Sequence, residues 1–311
     1  MPSGHGGGTR PGRRPARRAR HRPAEPLSEA ALTEMWRGLL LGEDSTLKRL
    51  RTVFNRLPGT PRCKVCAAPF RGPARMVTRI AMHGRSPENP LMCGVCMWSL
   101  RRRPGGAEVP GSVLFADVRG STGLAEGRTA AQYHRLLQRF YALAATAIER
   151  HRGILDKFLG DGVMALYIPL TSGDAHARAA VGTARDLLAA LRRADGDLAA
   201  LGVGCGVHTG DMFVGALGTD DRVDFSALGD TVNIAARLGS IAGPGEALVS
   251  RAAWEAAGRP LPEDVTEAVT VTGRSAPLDV VRLALAGGDG AAPVAAGAGA
   301  GPPAAAAQRT K

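Results

Sequence analysis

The sequence predicts a mixed α+β fold with helices laid over one face of a sheet, preceded by a small helical and cysteine-bearing module. Two observations carry this prediction. From residue 107 to 285, apolar runs of strand length alternate with stretches of helical period, in the order strand, helix, hairpin, helix, hairpin. Ahead of them, residues 59–100 hold two Cys-x-x-Cys pairs.

Residues 27–58 read as two short helices. Leu32, Met35, Trp36, Leu39 and Leu40 keep helical spacing after Ser28, and Leu47, Leu50, Val53, Phe54 and Leu57 keep it after Ser45. After the cysteine block, RRRPGG at 101–106 reads as a linker. SVLFAD is then a strand, and Thr129 with Gln132 forms a capping box that opens a helix with Tyr133, Leu136, Leu137, Phe140, Tyr141, Ala144 and Ile148 on its apolar face. Gly153 closes that helix. ILDKFLGDGVMALYI reads as two strands joined at Gly160-Asp161-Gly162. A helix from about Asp174 to Leu191 and a strand in LGVGCGVHTG follow. DMFVGALGTDDRVDFSALG reads as a further hairpin, DTVNIAARLGSIA as a helix and EALVS as a strand.

With 311 residues, 44% of them apolar, the chain can bury one full-sized core and a smaller one. The formal charge of +12 is unevenly spread, because residues 1–25 carry seven arginines against one acid, Glu25, among Gly and Pro. Residues 1–26 therefore read as a disordered basic tail, and the Ala/Gly/Pro-rich residues 286–311 as a second disordered tail. The basic tail would attract any polyanion non-specifically, and no other nucleic-acid contact is expected. No run of the roughly eighteen apolar residues that a membrane helix needs is present, and no apolar segment follows the basic N-terminus. The expected location is the cytoplasm.

Asp117 ends an apolar strand and is followed by Gly120, Ser121 and Thr122, a place where a cation can bind and free amides can hold phosphates. Asp161 offers a second carboxylate at a hairpin tip, and two such groups on neighbouring strand ends suit metal-assisted phosphoryl transfer. Either alone reads equally as a turn aspartate bonding its own backbone. Asn233 and Arg237, four apart, share one helix face that suits a ribose and a reacting phosphate, or simply solvent. Lys157 shares a strand face with Leu159 and Asp161.

VLFADVRGST, DKFLGDGVMALY, VGCGVHTG and DFSALGDTVNIAARL, in this order and spacing, resemble the catalytic domain of class III nucleotidyl cyclases, which include adenylate and guanylate cyclases. The resemblance spans about residues 107–285. It implies a ferredoxin-like fold working as a homodimer, each composite site taking its metal aspartates from one protomer and its base-reading and transition-state groups from the other. By that resemblance Asp117, Asp161 and the Val118 carbonyl hold two Mg²⁺ or Mn²⁺ ions, and Gly120, Ser121 and Thr122 cradle the triphosphate. Lys157 and Ser226 read the purine, Asn233 orients the ribose and Arg237 stabilises the transition state. Relatives more often have Asp or Thr at the Ser226 position, and many carry a Lys before the glycine where Thr272 precedes Gly273 here, so that one triphosphate contact is either missing or supplied by Arg274. A lysine donor with a hydroxyl acceptor matches adenine, so ATP is the expected substrate and cyclic AMP with pyrophosphate the products. The alternatives are a guanylate cyclase, a catalytically silent cyclase-like regulator, and a zinc-module nucleic-acid binder.

Cys63, Cys66, Cys93 and Cys96 suit two knuckles donating four thiolates to Zn²⁺, with an iron–sulfur cluster as the alternative. His83 would serve as a ligand only if one cysteine did not. Cys205 reads as a buried core thiol and His208 as structural.

Overall fold

The structure, a computed structural model, describes residues 28–87, 89–219, 222–259, 266–271 and 276–284. Both expected tails, 1–26 and 286–311, lie outside the described residues. The N-terminal module contains α1 (Glu29–Leu40), α2 (Ser45–Arg56), α3 (Arg75–Ile80) and α4 (Gly94–Arg102). There follow β1 (Gly105–Val118), α5 (Ser121–Glu126), α6 (Ala130–Arg150), β2 (Ile154–Leu159), β3 (Gly162–Tyr167), α7 (Pro169–Ser172) and α8 (His176–Arg192). The chain continues through β4 (Val203–Thr219), β5 (Arg222–Leu228), α9 (Asp230–Ile241), β6 (Glu246–Ser250), α10 (Arg251–Ala256), β7 (Thr266–Val269) and β8 (Leu278–Ala284).

The strands form one eight-stranded sheet in the order β2-β3-β1-β4-β6-β8-β7, with β5 paired to β4. Every pairing is antiparallel except β4 with β6. This is the expected mixed α+β class, with β1 between β3 and β4. Successive β1 side chains take opposite faces. Leu114, Ala116 and Val118 pack with Phe140 and Ile148 of α6, Leu187 of α8 and Trp254 of α10. Val109 and Val113 join a second cluster with Trp36, Leu40, Phe54 and the four N-terminal cysteines.

The face opposite α6 and α8 is thus also covered, by the N-terminal module and by α9. Gly206 of β4 allows α9 its close approach, since a methyl there would run into the backbone of Ala235 and Gly239. Thr231 fixes the start of α9 by donating its hydroxyl to the Asp211 carbonyl at 2.6 Å.

Several local expectations change. The capping box of Thr129 and Gln132 forms as read. The first residue of α2 is Ser45, and its cap is Asp44, whose Oδ1 accepts from Leu47 N–H at 2.6 Å. RRRPGG is no linker: α4 runs through Arg102, and β1 begins at Gly105. Trp36 Nε1 donates to the Arg103 carbonyl at 3.0 Å and closes the junction. VGCGVHTG and DMFVGALGT form one continuous strand, because all of β1 pairs with β4, Gly111 facing Gly210 and Pro110 facing Asp211. That pairing overrides the turn signal of Gly210-Asp211.

Gly206→Ala is expected to destabilise the fold by about 1–3 kcal/mol through overpacking against rigid backbone. Chemical denaturation checks this, and a midpoint unchanged from wild type would show that α9 does not press on β4 there.

Candidate active site

Asp117 is the penultimate residue of β1, opposite Gly162 of β3 and Gly204 of β4. A methyl at position 162 would stand 2.8 Å from Asp117 Oδ1, so the glycine is what leaves the carboxylate its space. The β2–β3 turn brings Asp161 to the same place. Val118 N–H donates to the Asp161 carbonyl at 3.4 Å, and the Tyr141 hydroxyl of α6 donates to the Gly160 carbonyl. Gly160 has φ 64°, the left-handed conformation that such a tight hairpin tip demands.

Burial and then the Asp161 carboxylate push the Asp117 carboxyl above its ordinary range, while Arg119 opposes them. Two carboxylates held this close form a setting that a divalent cation would relieve. Arg119 Nη2 reaches Asp117 Oδ2 at 2.5 Å, and its Nη1 donates to the Ser240 carbonyl in the last turn of α9 at 2.7 Å. The sequence reading missed Arg119, whose only signal is its place two residues after the aspartate. Gly120, with φ 65°, turns the chain into α5, so Ser121 and Thr122 occupy a first turn whose amides lack intrahelical acceptors.

A second group forms around a residue that the sequence reading also missed. β2 carries a bulge: Leu155 faces Ala165 and Lys157 faces Met164, leaving Asp156 as the extra residue. The Asp156 side chain is 1% exposed, accepts from the Ser226 hydroxyl at 2.6 Å and lies 3.5 Å from Lys157 Nζ. Burial pushes its carboxyl up, opposed by Ser226 and then Lys157. Ser226 is itself buried, whereas the Lys157 side chain is 44% exposed. Lys157 and Ser226 are therefore brought together through a shared carboxylate.

Asn233 and Arg237 project from α9 opposite its buried residues Thr231, Ile234, Ala235 and Leu238. Asn233 is exposed and Arg237 half-buried. Among the described residues no hydrogen bond or ion pair links Lys157, Asn233 or Arg237 to Asp117 or Asp161. Thr272, Gly273 and Arg274 lie outside the described residues.

The four N-terminal sulfur atoms all lie within 4.8 Å of one another, and all four residues are buried. Tetrahedral Zn–S bonds of about 2.3 Å put sulfurs roughly 3.8 Å apart, and Cys66 Sγ to Cys93 Sγ is 3.6 Å. Backbone amides already point at sulfur: Cys93 N–H donates to Cys63 Sγ at 3.3 Å and Cys96 N–H to Cys93 Sγ at 3.4 Å. The Cys66 and Cys96 thiols, donating to their neighbours, are pushed up, and Cys93, receiving from Cys63, Cys66 and Cys96, is held down. Four thiolates need a cation to coexist at this spacing. Arg51 Nη1 braces the first knuckle by donating to the carbonyls of Lys64 at 3.0 Å and Val65 at 2.5 Å. His83 Nδ1 stands 3.3 Å from Cys93 Sγ and 3.6 Å from Cys66 Sγ, a hydrogen-bonding neighbour beside a set of four. Cys205 is fully buried with its thiol pushed up to about 12 by burial, and His208 pairs with Ser250 Oγ at 2.7 Å.

Residues 108–276, more than half of the chain, match the family described as the adenylate and guanylate cyclase catalytic domain. An adenylate cyclase of Anabaena cylindrica is 31% identical over 131 residues, 41% of this chain and 26% of that protein. An uncharacterised Mycobacterium tuberculosis protein is 34% identical over 144 residues, 46% of this chain and 26% of that one. The chain thus spans about a quarter of the length of the curated relatives it matches. Among solved structures, the guanylyl cyclase Cya2 aligns with a TM-score of 0.54 at 28% identity, covering 57% of this chain and 93% of that one. The adenylyl cyclase CyaB from P. aeruginosa aligns at 0.51 and 26% identity, covering 60% and 99%. Asp117 at the end of β1 and Asp161 in the β2–β3 turn thus lie in a chain that belongs to the adenylate and guanylate cyclase family and carries a class III nucleotidyl cyclase domain.

Proposed function

We propose that the chain is an adenylate cyclase that converts ATP to 3′,5′-cyclic AMP and pyrophosphate as a homodimer. The observation that carries this reading is the contact between Asp117 and Asp161, two carboxylates held together at adjoining strand ends. Both, with the Val118 carbonyl, would hold Mg²⁺ or Mn²⁺, two ions per site. When bound, such ions lower the pKa of a ribose hydroxyl and take up the charge of a departing pyrophosphate. Ser121 and Thr122 offer their free first-turn amides to the triphosphate.

The remaining groups belong to a second copy. Lys157 and Asn233 stand exposed and Arg237 half-exposed, away from the carboxylates, and the nearby Phe158, Leu159, Phe213 and Leu228 are exposed apolar side chains that a partner would cover. Phe213 and Leu228 face each other across β4 and β5. Adenine is favoured because the buried Asp156 Oδ2 takes both the Ser226 hydroxyl and the Lys157 ammonium, so the exposed Lys157 offers a donor to a ring nitrogen. Asn233 then orients the ribose and Arg237 meets charge developing on the α-phosphate. The buried cysteines are read as a structural Zn²⁺ site.

Incubation with Mn²⁺ and ATP is expected to give cyclic AMP, identified by mass, with little product from GTP. Asp117→Ala and Arg237→Ala should each lower the rate by at least about a hundred-fold. An equimolar mixture of the two should recover about a quarter of wild-type activity, since half the dimers are mixed and each has one intact site of two. A mixture that stays inactive would mean that no site is shared between chains.

Asp156→Asn retains a partner for Ser226 but removes the charge facing Lys157. KM for ATP should rise about ten-fold with a smaller change in kcat, and equal loss in both would assign Asp156 to the reacting centre instead.

Elemental analysis of the purified chain is expected to find about one zinc per chain, lost in Cys93→Ser together with thermal stability. Iron with visible absorption in its place would assign an iron–sulfur cluster.

A further inference from the structure

The N-terminal module presents a surface that the cyclase reading does not use. In the 43 residues between Asp44 and Glu88 there are ten Lys or Arg and no Asp or Glu. α3 lies within this stretch and is turned inside out. Its inward residue is Thr78, 1% exposed, whose hydroxyl donates to the Pro69 carbonyl at 3.1 Å. Its outward residues are Met76, Val77 and Ile80, 65–78% exposed, and Met82 follows at 75%. An amphipathic helix of a closed globular domain does the reverse.

The apolar strip continues on α4. A methyl at Gly94 would meet the Met82 carbonyl at 3.6 Å, and Trp98, one turn further along the same side of α4, is exposed. Arg102 lies over the Trp98 ring at 4.5 Å. Beside the strip, Arg71, Arg75, Arg79 and Arg85 line a cleft of about 450 Å³ with Phe70 and Thr78. Among the described residues none of these four arginines pairs with a carboxylate.

We propose that this face docks on a membrane surface containing anionic phospholipid. The arginines would meet headgroup phosphates, each adding to an attraction that salt screens, while Met76, Val77, Ile80 and Met82 enter the acyl boundary with Trp98 at the interface. Charge complementarity decides the occupant. A second copy placed face to face would bring arginine against arginine. Nucleic acid would satisfy the arginines but leave four aliphatic side chains without a role, since its bases stack on aromatic rings. A phospholipid layer offers phosphate and alkyl chain together.

The test is co-sedimentation of the full chain with vesicles of phosphatidylcholine alone or mixed with phosphatidylserine. Binding is expected only to the mixed vesicles and should fall with added NaCl. The exposed triple variant Met76→Ser, Val77→Ser, Ile80→Ser, with its fold checked by thermal melting, should bind about ten-fold more weakly or worse. Arg75→Gln with Arg79→Gln should reduce binding and flatten its salt dependence. Both variants leave the arginine-rich residues 10–22 intact, so an unchanged affinity in the triple variant would assign the binding to that tail and overturn the proposal. Failure of the wild-type chain to sediment would also overturn it. So would RNA binding or self-association, without lipid binding, that the triple variant abolishes.

Discussion

Asp117 and Asp161 repel one another, and the fold holds them together regardless. Their proximity is imposed by backbone: the β1–β3 register, the Val118–Asp161 amide bond and the Tyr141 hydroxyl on Gly160 all act on main-chain groups. None of these contacts loosens when the carboxylates repel. Arg119 relieves part of the repulsion with a single charge, and a divalent cation would relieve more, because it is doubly charged and can touch both groups at once. The stability of the sheet is thereby spent on a site that favours binding a cation over closing on itself.

The same logic recurs at Asp156. A carboxylate 1% exposed is tolerable only with partners, and the β2 bulge supplies them by turning it towards Ser226 and Lys157. Lys157 consequently has its Nζ held beside the buried carboxylate on a side chain 44% exposed. Asn233 and Arg237 lie on the outward face of α9. In the proposed homodimer this solvent-facing set would meet the carboxylates of the second copy.

What could be seen in the sequence divides along the range of the forces involved. Asp117, Asp161, the capping box of α6 and the two cysteine pairs are set by a few adjacent residues, so local chemistry was enough to find them. The continuity of β4 was hidden because Gly210-Asp211 signals a turn, and only the fourteen-residue pairing with β1 suppresses it. Asp156 was hidden because strict alternation assigns it to the wrong face, and a bulge breaks that alternation at this residue. The inverted polarity of α3 was hidden for a third reason: Met-Val-x-x-Ile spacing looks like any core-facing helix until Thr78 is found to be the anchor.

The N-terminal module and the catalytic sheet share one apolar cluster, and this binds their behaviour together. Trp36, Leu40, Phe54 and the cysteines pack in one apolar cluster with Val113 of β1, Met164 of β3 and Met212 of β4. Separate domains normally meet through smaller and wetter interfaces. If the thiolate cluster came apart, Cys63, Cys66, Cys93 and Cys96 would open a gap in the same cluster that covers the back of β1, two residues from Phe115 and four from Asp117. The module is therefore a wall of the sheet, packed against the strand that carries Asp117.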